Sequence, residues 1–85
     1  MEKSVGTFEH QKFLKLLKKA RADSGLTQIE LAEAIEETQS TVSKIERGEI
    51  RLDLIQLRTV CQALGISLTD FVAAFEASLV SNRKR

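Results

Sequence analysis

Apolar residues recur along this chain at steps of three and four, and no stretch alternates Val, Thr or aromatic residues at a step of two. The first spacing lines one face of a helix, so the pattern predicts an all-α chain without a sheet. Phe13, Leu16, Leu17 and Ala20 form the inner face of a first helix over about Phe8–Asp23, and Ile29, Leu31, Ala32 and Ile35 that of a second over about Gln28–Ile35. Leu54, Leu57, Val60, Cys61 and Leu64 line a fourth over Leu54–Leu64, and a fifth occupies about 67–80. Gly25, Gly48 and Gly65 close three of these runs, where a residue at positive φ ends the last turn. Thr27 with Glu30, Asp53 with Gln56 and Ser67 with Asp70 mark helix starts, each pairing a side-chain acceptor with an acid or amide three residues later. Thr38 offers a cap of the same kind without that partner.

The third helix, about 39–47, breaks the pattern. Only Val42 and Ile45 are apolar, and the rest is Gln, Ser, Thr, Lys, Glu and Arg. A surface helix ordinarily carries a wider apolar stripe. Between Ile35 and Thr38 stand only Glu36 and Glu37, so the second and third helices must meet at a steep angle, the geometry of a helix-turn-helix. Val42 and Ile45 then anchor the third helix while Gln39, Ser40, Ser43 and Lys44 project outward. Gln and Lys are side chains that pair with adenine and guanine edges in a major groove.

Composition narrows the alternatives. With 85 residues, 42% of them apolar, the chain has room for one domain with a modest core. A single cysteine, Cys61, and a single histidine, His10, supply neither a disulfide nor a zinc cage nor an oriented nucleophile pair, so no metal or other cofactor and no enzyme activity is expected. Cys61 falls on an apolar stripe and reads as core; His10 reads as a solvated surface residue. No apolar segment suggests export or membrane insertion, which gives a cytoplasmic, nucleoid-associated expectation. Formal net charge is +1, but the sum hides two patches: Lys12, Lys15, Lys18, Lys19 and Arg21 without an acid, then Glu30, Glu33, Glu36 and Glu37 without a base. The lysines read as the solvated side of an amphipathic helix. Arg21 follows Phe13 and Leu17 at four-residue steps and therefore points inward, where it needs a carboxylate.

The stretch "LTQIELAEAIEETQSTVSKIERG", Leu26 to Gly48, resembles the Cro/repressor-type, XRE-like helix-turn-helix family, and the resemblance continues through "LRTVCQALGISLTDF", Leu57 to Phe71. It implies a five-helix repressor-like DNA-binding domain and a sequence-specific transcriptional regulator, commonly a repressor, that binds double-stranded DNA. At matching positions it implies base contacts from Gln39, Ser40, Ser43 and Lys44, and phosphate contacts from Gln28, Arg47, the backbone at Gly48, and Arg51. It also implies an ion pair between Arg21 and Glu46, which answers the need for a carboxylate. Ala32 matches the small residue that lets the two helices approach. The chain departs from the family at Glu36 and Glu37, where a glycine and an apolar residue are common. A side chain at positive φ there costs about 1–2 kcal/mol, and the two carboxylates either repel a nearby phosphate backbone or complement the dipole at the start of the third helix.

Residues 1–7 read as a flexible N-terminus, 8–80 as the domain, with its helix-turn-helix at about 28–47, and 81–85 as a basic tail. The fifth helix is apolar over much of its circumference. Phe71, Phe75, Leu79 and Val80 are expected to form a homodimer interface, which sets two recognition helices about 34 Å apart. The rival reading is an antitoxin-like interaction module that binds a protein partner through this helix.

Overall fold

In the computed structural model, which describes residues 7–83, five helices follow one another: α1 (Phe8–Ser24), α2 (Gln28–Ala34), α3 (Gln39–Glu46), α4 (Leu54–Leu64) and α5 (Leu68–Arg83). Residues 1–6 of the expected N-terminal arm, and Lys84 and Arg85 of the expected tail, lie outside the described residues. Thr7, assigned by sequence to the arm, instead caps α1: its hydroxyl accepts the His10 amide at 3.1 Å. α5 continues three residues past the expected end at Val80.

Local chemistry fixes the helix boundaries. Thr27 accepts the Glu30 amide at 3.1 Å while Glu30 accepts the Thr27 amide at 2.9 Å, and Asp53 and Gln56 exchange the same two bonds at 2.8 Å each. Ser67 accepts the Asp70 amide at 2.9 Å. The helix ends share a second device, in which a residue at positive φ lets two amides reach back to the last carbonyls. Glu37 N–H donates to Ala32 O at 2.8 Å, Glu49 N–H to Lys44 O at 2.8 Å and Ile66 N–H to Cys61 O at 3.0 Å. Gly48 and Gly65 hold the positive φ at two of these ends, but at the end of α2 Glu36 does so, with φ 62°.

The core gathers Leu17 from α1, Leu31 and Ala32 from α2, Val42 and Ile45 from α3, Val60, Cys61 and Leu64 from α4, and Phe71 from α5. Phe13 joins α1 to α5, meeting Phe71 and Phe75 edge to face at 5.9 and 6.4 Å. Burial pushes the Cys61 thiol above its ordinary pKa, as suits an inert core residue.

Four sequence assignments need correction. Phe71, given to a dimer face, is 4% exposed and belongs to the domain's own core, because the turn at Gly65 folds α5 back so that its first turns face α1 and α4. Ile29, given to the core, is 58% exposed, since α2 buries the side carrying Leu31 and Ala32, and residue 29 lies about a third of a turn away. Leu54 shares the inward stripe of α4 but is 63% exposed, as it starts a helix whose buried residues, Val60, Cys61 and Leu64, all lie in its second half. His10 is half-buried with its ring 5.8 Å from that of Phe13. Leu14, absent from the expected inner face of α1, is buried.

Candidate nucleic-acid interface

The turn between α2 and α3 comprises Ile35 through Thr38, and each residue has a part in it. Ile35 ends α2, Glu36 reverses the chain at positive φ, Glu37 closes the hydrogen-bonded loop onto Ala32, and Thr38 caps α3 by accepting the Thr41 amide at 3.1 Å. Ala32, 2% exposed, presents only a methyl group where the two helices pack. Val42 at 1% and Ile45 at 6% exposure then anchor α3, and burial of each contributes about 1.5–3 kcal/mol. Those anchors turn Gln39, Ser40 and Lys44 to the outside, all three exposed.

Behind this face lies a chain of side-chain hydrogen bonds that crosses three helices. Arg21 of α1 donates from Nε to Glu46 Oε2 at 2.6 Å and from Nη2 to Glu46 Oε1 at 3.1 Å, with Nη1 on the Leu26 carbonyl at 3.0 Å. Gln28 of α2 donates from Nε2 to Glu46 Oε1 at 2.9 Å. Gln39 of α3 in turn donates from Nε2 to Gln28 Oε1 at 2.7 Å. Glu46 is 4% exposed. Burial by itself would raise its pKa, but hydrogen bonds from Arg21 and Gln28 and the charges of Arg21 and Lys18 outweigh that and hold the carboxyl below the ordinary value of 4.5. The Arg21 guanidinium is held above its ordinary value, chiefly by the hydrogen bond to Glu46. Among the described residues, every buried side-chain nitrogen and oxygen has a hydrogen-bond partner.

At the other end of α3, Arg47 donates from Nε and Nη2 to the two carboxylate oxygens of Glu49 at 2.9 and 3.2 Å, and from Nη1 to Ser43 Oγ. Ser43, assigned by sequence to base contact, is thus half-buried and held by Arg47. Gly48 is buried, with φ 84° and its amide donating to Ile45 O at 3.0 Å, and so shapes the end of α3. Glu49, whose carboxyl Arg47 holds below its ordinary pKa, went unassigned in the sequence reading. Its place two residues after Arg47 was the available signal. An open groove of about 750 Å³ beside Arg47 is lined by Lys12, Lys15 and Lys18 together with Phe8, Glu46 and Glu49. Folding therefore sets the lysine side of α1 next to the end of α3, which the four-residue repeat alone does not reveal. Arg51 lies elsewhere, exposed at the rim of a cavity shared with His10, Phe13, Leu52 and Phe75.

Among the described residues no single helix is long and apolar enough to cross a membrane. In the same residues no group of His, Cys, Asp and Glu side chains is placed to hold a metal ion.

The profile of a helix-turn-helix family matches residues 17–71. Among solved structures, an XRE-family like protein from Pseudomonas syringae pv. tomato str. DC3000 is similar at 38% identity over 82% of this chain and 85% of its own, with a TM-score of 0.77. The clp gene regulator ClgR from Corynebacterium glutamicum is 33% identical over 85% of this chain and 92% of its own, with a TM-score of 0.73. The restriction-modification controller protein C.Esp1396I, solved as a tetramer in complex with its natural 35 base-pair operator, is 26% identical over 87% of this chain and 97% of its own, with a TM-score of 0.77. A comparison with curated proteins finds no match.

Proposed function

This chain belongs to the XRE-like helix-turn-helix family, and from that premise we propose a DNA-binding transcriptional regulator that reads a major groove with α3. The carrying observation is the outward polar face of α3, fastened from beneath by Val42 and Ile45. Gln39, Ser40 and Lys44 are the base-reading residues, with Ser43 supporting Arg47 beside them. Gln28, Arg47 and Arg51 approach the phosphates, and Lys12, Lys15 and Lys18 extend the cationic border next to Arg47. Phosphate contacts supply most of the affinity and base contacts the selectivity. Regulation, by this reading repression, comes from occupancy of the site, without a catalytic step, and the work is done at the nucleoid in the cytoplasm.

A second copy is the partner we assign to α5. Val72 is 40% and Val80 58% exposed, Ala73, Ala74, Ala77 and one acid, Glu76, are exposed between them, and Phe75 and Leu79 are half-buried on the same helix. Two-fold pairing through this face presents two copies of α3 to successive major grooves. The controller protein's assembly as a tetramer on its operator supports a DNA-bound oligomer.

Selection of bound duplexes from random DNA, at two salt concentrations, tests the whole reading. The expected product is a two-fold related site with half-sites about one helical turn apart and affinity that falls steeply with salt. Recovery of unenriched random DNA would refute sequence-specific regulation.

A further inference from the structure

We infer that Glu46, which lies beneath the reading face, decides which kind of base Gln39 selects, by fixing the orientation of the Gln28 amide and through it that of Gln39. The inference rests on the proposed role of α3 and deepens it. An ionised carboxylate only accepts hydrogen bonds. Both oxygens of Glu46 are engaged by donors, and Oε1 takes the Gln28 amide nitrogen at 2.9 Å. Gln28 must therefore turn its carbonyl oxygen toward Gln39, and it accepts the Gln39 amide nitrogen at 2.7 Å. Gln39 is left with Oε1, an acceptor, as the terminal atom turned away from Gln28, beside the second hydrogen of Nε2 as its one remaining donor.

That polarity has a consequence for base choice. In the major groove adenine and cytosine present exocyclic amino donors, whereas guanine and thymine present keto acceptors. A Gln39 whose outer atom is Oε1 selects the amino-bearing bases. Glu46 is a positioning residue, acting at a distance of two side chains from the DNA. Its replacement by glutamine leaves one carbonyl oxygen: kept on Arg21 Nε, it puts an NH2 group where Oε1 now accepts from both Arg21 Nη2 and Gln28 Nε2, at the cost of the Nη2 bond. Each amide along the chain would then reverse, and the outer atom of Gln39 would become a donor suited to keto groups.

The test is duplex selection with the full chain as wild type, Glu46→Gln and Gln28→Met, each with and without Gln39→Ala. The readout is the ratio of amino to keto bases at the position whose preference Gln39→Ala erases. Wild type is expected to favour amino bases there by about fivefold or more, the lower end of one good base contact. Gln28→Met should bring that ratio close to one, and Glu46→Gln should abolish or invert it. Neither change should alter the base at that position once Gln39 is alanine. A Gln28→Met protein that keeps the wild-type ratio, even if it binds all sequences more weakly, overturns the inference. Should Glu46→Gln fail to fold, Gln28→Met still decides, because Gln28 starts α2 at its half-exposed end. A wild-type protein that selects no duplex brings down the proposed function itself; normal selection with an unmoved ratio removes only the role of Glu46.

Discussion

Beyond the residues that anchor it, α3 exposes Gln39, Ser40 and Lys44, whereas α5, anchored by Phe71, exposes Val72, Ala73, Ala74, Ala77 and Val80 around a single acid, Glu76. Both helices use apolar anchors on one side, yet they offer solvent opposite chemistry on the other. A polar face on a rigid helix suits the hydrogen-bonding edges of a groove, and an apolar one suits a surface that excludes water. The fastening also differs. α3 is tied down by a hydrogen-bonded ion pair in addition to packing, which fixes its side chains in direction, while α5 is held by aromatic packing through Phe13, Phe71 and Phe75. Reading bases demands directional control that pairing apolar surfaces does not.

The comparison breaks most visibly at Glu46. Glu46→Ala leaves the Arg21 guanidinium without its carboxylate, and urea unfolding should show a loss of about 3–5 kcal/mol. The same pair sets an acid limit. Because the folded pKa of Glu46 lies below 4.5, its contribution is complete above about that pH and disappears as pH falls through the folded value. Glu46→Gln should flatten that part of the stability profile measured by thermal melts between pH 2 and 6.

Next in size is the apolar face. Val72→Glu together with Val80→Glu should leave the fold intact, since both residues are exposed, and should shift sedimentation toward a monomer. Affinity for a two-half-site operator should drop on the order of 10²-fold, the usual gain from linked binding, while a single half-site is bound as before. An unchanged operator affinity would show that α5 does not pair the copies.

Smaller effects separate the two ends of α3. Gln39→Ala should cost about 1–3 kcal/mol at one base pair and relax selectivity there. Arg47→Ala should weaken all sequences alike, but the salt slope should fall by less than about one unit, because Glu49 already partners this guanidinium. Equal behaviour of the two variants in binding titrations would merge the roles assigned here. Last is the turn itself: Glu36→Gly should stabilise the domain by about 1 kcal/mol, raising the melting temperature by roughly 4–8 °C, without moving α3.

Much of the fold is legible in the amino-acid sequence. The capping pairs Thr27–Glu30 and Asp53–Gln56 act within four residues, and so does the helix-ending conformation at Glu36, which the departure from glycine had marked as a strained position. The anchors Val42 and Ile45 stood out because so little else on their helix is apolar. The polar face of α3 was legible for the same reason.

What the chain's order determined by itself is therefore the set of helices, their ends, and the choice of α3 as the working element, because hydrogen-bonded caps and helical periodicity are local effects. Tertiary structure alone decided that Phe71 is core and Leu54 is not, since burial depends on where a neighbouring helix begins and ends. It also decided that Arg21, Glu46, Gln28 and Gln39 form one connected chain. Eighteen residues separate Gln28 from Glu46 and eleven separate it from Gln39, and only the packing of α2 against α3 brings their polar atoms within hydrogen-bonding reach.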